Sequence, residues 1–203
     1  MKKIVLSAVA ILAFGFANAQ DSSSYGFSQG NVIVEGNLGF SSTNNKNTEV
    51  KTNSLSFNPK VGYFLTDKFA IGLELGVGSG KTEVDGTETA KSSSFGAGVF
   101  GRYYFLDLGQ RFKTYAEAGV GFGSTKSGLG AAEAKSTGVN FDAGLGINYF
   151  VSDSFAINFG LTDILGYSSS KAEDSEAVST FTGNFNVFKN FFDTPTFGLT
   201  YKF

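Results

Sequence analysis

Apolar side chains recur at every second position in eight separate stretches of this chain, and that period constrains the fold more than any other feature. In residues 31–41 the apolar set is Val32, Val34, Leu38 and Phe40, while Ile33, Glu35, Asn37 and Gly39 face the other way. Successive side chains of a strand point to opposite faces, so a period of two predicts strands with one apolar and one mixed face. The pattern returns in residues 54–65, 69–79, 93–105, 112–124, 137–150, 155–162 and 196–203. Each stretch is close to the roughly 9–11 residues that a tilted membrane strand needs.

The connections alternate in length. Thr66-Asp67-Lys68, residues 107–111 and Ser152-Asp153-Ser154 are short, whereas 43–53, 80–92, 125–136 and 166–195 are long and polar. Short turns at one end and long loops at the other are the asymmetry of an outer-membrane barrel. Lipid tolerates no unpaired backbone, so an even set of strands is expected to close, the last against the first. Residues 62–72 and 148–158 echo one another through Tyr63-Phe64-Leu65-Thr66-Asp67 and Tyr149-Phe150-Val151-Ser152-Asp153.

The first residues read as an export signal. Lys2 and Lys3 precede an apolar run from Ile4 to Phe16, and Ala17-Asn18-Ala19 fits the small-x-small cleavage site. The apolar run is too short for a spanning helix. Residues 1–19 are therefore expected to be a cleaved signal peptide, 20–30 a loose periplasmic lead-in and 31–203 the barrel domain. The chain has no Cys and no His. Disulfides, thiol nucleophiles, a lipidated N-terminal Cys, a Ser-His-Asp triad and His-ligated metals are all excluded. A formal charge of −2 without a basic run suggests neither nucleic acid nor a polybasic lipid anchor.

Which face meets lipid follows from size. An eight-stranded barrel has an interior barely wide enough for its own side chains. Phe57, Phe95, Phe141 and Phe159 on the apolar face would overfill it, whereas the Gly-rich face fits. The apolar face is therefore expected to point outward. Tyr63, Phe69, Tyr103, Phe105, Phe112, Tyr149, Phe155, Tyr201 and Phe203 flank the short turns or the C-terminus, as an interfacial aromatic girdle would. Two features fit less simply. Pro59 removes a ladder donor inside the second stretch, so a local defect without a register shift is expected. Residues 179–193 hold Phe181, Phe185, Val187, Phe188, Phe191 and Phe192, too apolar for a plain loop. They are expected either to extend the last strand pair or to fold over the barrel mouth.

With the signal peptide, the two turn segments and the ending Phe197-Gly198-Leu199-Thr200-Tyr201-Lys202-Phe203, the chain resembles the small eight-stranded outer-membrane β-barrels of OmpA/OmpX type and the OmpW-like barrels. The resemblance implies an all-β, closed, antiparallel up-and-down transmembrane barrel in a Gram-negative outer membrane. It also implies that Phe197, Leu199, Tyr201 and Phe203 form the assembly signal read by the barrel-insertion machinery. The peptidoglycan-binding domain that some relatives carry after the barrel has no counterpart, so cell-wall tethering is not expected.

By parity the interior receives Glu35, Lys60, Glu74, Arg102, Glu117 and Asp142, with Lys113 and Lys202 nearer the periplasmic mouth. A buried ion-pair network that plugs the lumen is the expected arrangement, and such pairs need near-complete hydrogen bonding. Glu74 and Glu117 without a cleft motif are a weak sign of acid–base catalysis. The expectation is therefore a non-enzymatic, monomeric structural or surface-interaction barrel with no cofactor, whose partners are lipid and the insertion machinery. The alternatives are a porin-like channel for a small or hydrophobic solute, leaving sideways into lipid as suggested for OmpW-like barrels, and a soluble lipocalin-like binder with its faces inverted. The mixed-charge loops, such as Lys81, Glu83, Asp85, Glu88 and Lys91, read as solvated surface.

Overall fold

The period-two pattern becomes one continuous antiparallel ladder in the computed structural model, which describes residues 25–129, 133–184 and 196–203. The strands are β1 (Val32–Asn45), β2 (Val50–Phe64), β3 (Phe69–Val84), β4 (Thr87–Leu108), β5 (Phe112–Ser127), β6 (Ala134–Phe150), β7 (Phe155–Ala172), β8 (Val178–Gly183) and β9 (Thr196–Lys202). Each of β1 to β7 pairs with its sequence neighbour. β7 pairs with β8 through Leu165–Ser170 and with β9 through Phe155–Gly160, so β8 and β9 are two pieces of one eighth strand. β9 also pairs with β1, from Ile33↔Lys202 to Asn37↔Gly198, and this closes an eight-stranded barrel. Closure removes the sheet edge that lipid cannot satisfy.

Outward residues are apolar and exposed. Leu73, Phe57, Phe95, Val99, Val120 and Leu199 all stand on the outer face. An inverted, soluble arrangement is incompatible with that placement. The inner face is lined by glycine, hydroxyls, amides and a few charges. Glycine makes room where the interior is tightest. A Cβ at Gly72 would collide with the Val61 carbonyl and the Phe100 ring, and one at Gly146 with the Tyr115 ring.

At the periplasmic end the echoed segments form the same turn. Leu65 N–H donates to the Phe69 carbonyl at 2.9 Å, and Val151 N–H donates to that of Phe155 at 2.8 Å. Pro59 behaves as its chemistry requires. Phe57 pairs with Val77, the β2–β3 ladder skips two residues on each strand, and it resumes at Lys60↔Glu74 in the same register.

Three features differ from the sequence reading. The polar stretches 43–53, 80–92 and 125–136 are mostly strand, not loop, because β1 to β6 continue well past the apolar band. β3 and β4 meet across Asp85-Gly86, whose φ values of 48° and 70° are those of a tight two-residue hairpin. The stretch 166–195 likewise begins with seven more residues of β7 and then β8, which extends the last strand pair. Phe181 lies in β8, while Phe185, Val187, Phe188, Phe191 and Phe192 lie outside the described residues, as do residues 1–24 with the expected signal peptide.

The third difference is the lead-in. Its described part, Tyr25–Gly30, is not loose but sits in the periplasmic mouth. Phe27 stacks on Phe64 with ring centroids 4.4 Å apart and meets Tyr104 at 4.7 Å and Phe150 at 5.1 Å. Lys202 Nζ donates to the Gly26 carbonyl at 2.8 Å, and Arg111 Nη2 donates to the Tyr25 hydroxyl at 2.6 Å.

Candidate functional site

Alternation on five strands delivers charged side chains to one level of the interior. Glu35 comes from β1, Lys60 from β2, Glu74 from β3, Arg102 from β4 and Glu117 from β5. Register places them side by side, since Glu35↔Lys60, Lys60↔Glu74 and Arg102↔Glu117 are direct cross-strand partners. Arg102 is 1% exposed and lies at the centre. Its Nη1 and Nη2 donate to both Glu35 carboxylate oxygens at 2.6 and 2.7 Å, and its Nε donates to Glu117 Oε2 at 2.6 Å. The fork geometry of guanidinium suits this bidentate grip. Lys60 Nζ bridges Glu117 at 2.6 Å and Glu74 at 2.8 Å.

Neutral groups complete the layer. Thr200 Oγ1 donates to Glu35 Oε1 at 2.8 Å and accepts from Asn148 Nδ2 at 3.0 Å. Tyr104 donates its hydroxyl to Asn148 Oδ1 at 2.8 Å, and Tyr115 donates to Asn158 Oδ1 at 2.7 Å. The Arg102 guanidinium carbon also lies 4.1 Å from the Tyr115 ring centroid, a favourable cation–π contact. Below the charges, toward the periplasm, Ile33, Phe64, Ala70, Tyr104 and Tyr115 form an apolar cluster against which Phe27 packs. A polar layer therefore rests on an aromatic one.

Asp142 stands apart from the ion pairs. It faces the interior but accepts from Asn140 Nδ2 at 2.9 Å, and it lines a polar cavity of about 180 Å³ with Lys60, Arg102, Glu117 and Asp163. A second cavity of about 300 Å³, of mixed lining, lies beside it, with Asn58, Glu74 and Asn140 alongside Leu75, Ala97 and Phe122. Lys113 pairs with Asp107 at 2.8 Å near the short-turn end. The terminal residues Phe197, Leu199 and Phe203 are exposed on the outer face, and the Tyr201 and Phe203 rings are 4.7 Å apart.

Several participants were absent from the sequence reading. Asn148, Asn158, Thr200 and Tyr104 sit on the inward parity of their strands, so alternation alone would have found them. Phe27 carried no such signal, because it lies before the first strand.

The described geometry joins closure, an apolar exterior and a polar, ion-paired interior. The family model described as an outer membrane protein beta-barrel domain matches residues 6–203. The chain belongs to that family. Among solved structures, this outer-membrane barrel is similar to the outer membrane protein OprG from Pseudomonas aeruginosa. That likeness has 16% identity and a TM-score of 0.55, over 88% of this chain and 98% of the other. It is also similar to Ail, the attachment invasion locus protein of Yersinia pestis, with 16% identity and a TM-score of 0.48 over 86% and 99% of the two chains. The Escherichia coli outer membrane protein W matches at 17% identity and a TM-score of 0.44, over 87% and 99%. No curated protein matches. At these identities the structural likeness concerns the fold, and the family places the barrel in a Gram-negative outer membrane.

Proposed function

We propose that this barrel is a structural or surface-interaction protein whose lumen is plugged. The observation that carries this reading is the bidentate Arg102–Glu35 pair, fully buried across the interior and extended by Glu117, Lys60 and Glu74. A buried guanidinium with satisfied donors is costly to move, because separating it from its carboxylates leaves uncompensated charge. The aromatic layer beneath it, including Phe27, adds a second obstruction. In this reading the chain has no catalytic role and needs no cofactor. Residues 1–19 are removed on export, Phe197, Leu199, Tyr201 and Phe203 guide insertion by the assembly machinery, and the barrel works as a monomer in lipid.

A transport role for a hydrophobic compound is disfavoured by the lining. The interior cavities above the ion pairs set amides, carboxylates and Lys60 beside a few apolar groups, Leu145 in the smaller and Leu75, Ala97 and Phe122 in the larger, so an apolar solute would have to lie against charged and amide groups in each. Planar bilayer recording tests the plug. Purified wild type should give no steady large conductance, and a stable, large open level would sink the reading.

A further inference from the structure

On six adjacent strands the outer face ends in the same way toward the long-loop end. Along β2 the outward residues run Leu55, Asn53, Lys51, and along β3 they run Val77, Ser79, Lys81. β4 gives Phe95, Ser93, Lys91, and β5 gives Phe122, Ser124, Lys126. β6 gives Val139, Thr137, Lys135, and β7 gives Tyr167, Ser169, Lys171. In each case the last apolar residue is followed by one small polar residue and then by lysine. The register ties these positions into a belt. Lys81 lies directly opposite Lys91, Lys126 lies directly opposite Lys135, and the remaining neighbours are offset by two residues.

Height and charge say what such a belt meets. Four residues of strand rise about 13 Å, or roughly 10 Å along the membrane normal at the tilt of a small barrel. That places the lysine backbones at the outer edge of the headgroup zone, within reach of a stem that lies back along apolar surface. Like charges placed directly opposite in a sheet repel. Two of the six are answered from within, Lys81 by Glu83 and Glu88 and Lys126 by Glu133. Lys51, Lys91, Lys135 and Lys171 make no ion pair among the described residues. Lys51 stands directly opposite Glu83, whose carboxylate Lys81 already engages, and Glu49, Asp85, Glu173 and Asp174 stand in or beside the hairpin turns. Among the described residues the short-turn end shows no equivalent belt, since Arg111 is held by Tyr25, Lys113 by Asp107, and Lys68 sits in the turn itself.

We propose that Lys51, Lys81, Lys91, Lys126, Lys135 and Lys171 form a collar that binds the phosphorylated headgroups of outer-leaflet lipid. The cations run around six of the eight strands and face sideways, toward molecules that surround the barrel in the membrane plane. A soluble polyanion would have to wrap the barrel to reach them all.

The test uses the full folded chain in detergent with a bisphosphorylated glucosamine lipid, the same lipid dephosphorylated, and inorganic phosphate. Lipid retained after washing is counted by native mass spectrometry at low and high salt. Wild type should retain the phosphorylated lipid about tenfold better than its dephosphorylated form, and salt should erase the difference. The K51Q/K91Q/K135Q/K171Q variant, with folding checked by heat-modifiable gel mobility, should fall to the dephosphorylated level. Three results would each overturn the collar: equal retention of the two lipids by wild type, unchanged retention by the variant, or displacement by inorganic phosphate at the lipid's own concentration. The first comparison needs no variant and stands even if the quadruple substitution fails to fold.

Discussion

At the scale of single residues, Arg102 is the side chain on which the interior turns. Its guanidinium satisfies Glu35 with two bonds and Glu117 with a third, inside a wall that leaves it 1% exposed. Removing one member of such a pair strands the other. Arg102→Met should therefore destabilise the folded barrel by about 3–5 kcal/mol, measured as urea unfolding in lipid vesicles. Adding Glu35→Leu to that variant should recover most of the loss, because a matched apolar pair leaves no carboxylate stranded. A double variant as unstable as the single one would show that Glu35 is not the group left exposed to the loss. Much of this site was legible in the sequence, since parity alone sends Glu35, Lys60, Glu74, Arg102 and Glu117 inward. Their pairing was not legible. Who meets whom depends on strand register, and register is set by turns and bulges such as the one at Phe105 between β4 and β5. Asp142 illustrates the point, for it shares the parity yet bonds to Asn140.

At the scale of elements, the strands were readable where one face is apolar and unreadable where both faces are polar. The continuation of β3 and β4 toward Asp85-Gly86 carries Ser, Thr, Gly and charge on both sides, so hydrophobic periodicity has nothing to report there. The turn dipeptide itself was the available signal, because Asp-Gly supplies the positive φ of a two-residue hairpin. The lead-in was misread for a different reason. Its docking depends on one aromatic residue, Phe27, meeting rings delivered by β2, β4 and β6. Phe27→Ala should lower stability by about 2 kcal/mol, less than the 3–5 typical of a fully buried Phe, because Phe27 is only partly buried. Chemical unfolding of the variant checks the value. The same variant should expose the Tyr25–Gly30 segment to protease while the barrel persists; a segment that stayed protected would mean that Phe27 does not hold it.

At the scale of the whole molecule, the seam between first and last strands is the point where the chain becomes a barrel. β1 and β9 share only the pairs from Ile33↔Lys202 to Asn37↔Gly198, and Phe203 adds bonds at the rim through its backbone, donating to Val32 at 2.8 Å and accepting from it at 3.3 Å. The Phe203 ring lies outside, exposed toward lipid. Backbone closure and the proposed recognition of the ring are thus separable. Phe203→Ala should keep the purified barrel refolding into detergent as wild type does, while its yield in the outer membrane of cells falls several-fold. Equal yields in cells would remove the ring from the assembly signal. The architecture was legible from the sequence because lipid imposes so few solutions on a polar backbone. The task performed inside that architecture was less so, because many functions share one barrel.

The seated lead-in also implies an order of events. Gly26 is gripped by Lys202 on the final strand, and Phe27 by rings from three others. That binding place does not exist until the last strand has arrived. The Tyr25–Gly30 segment, early in the chain, can therefore complete its contacts only once the final strand is in place.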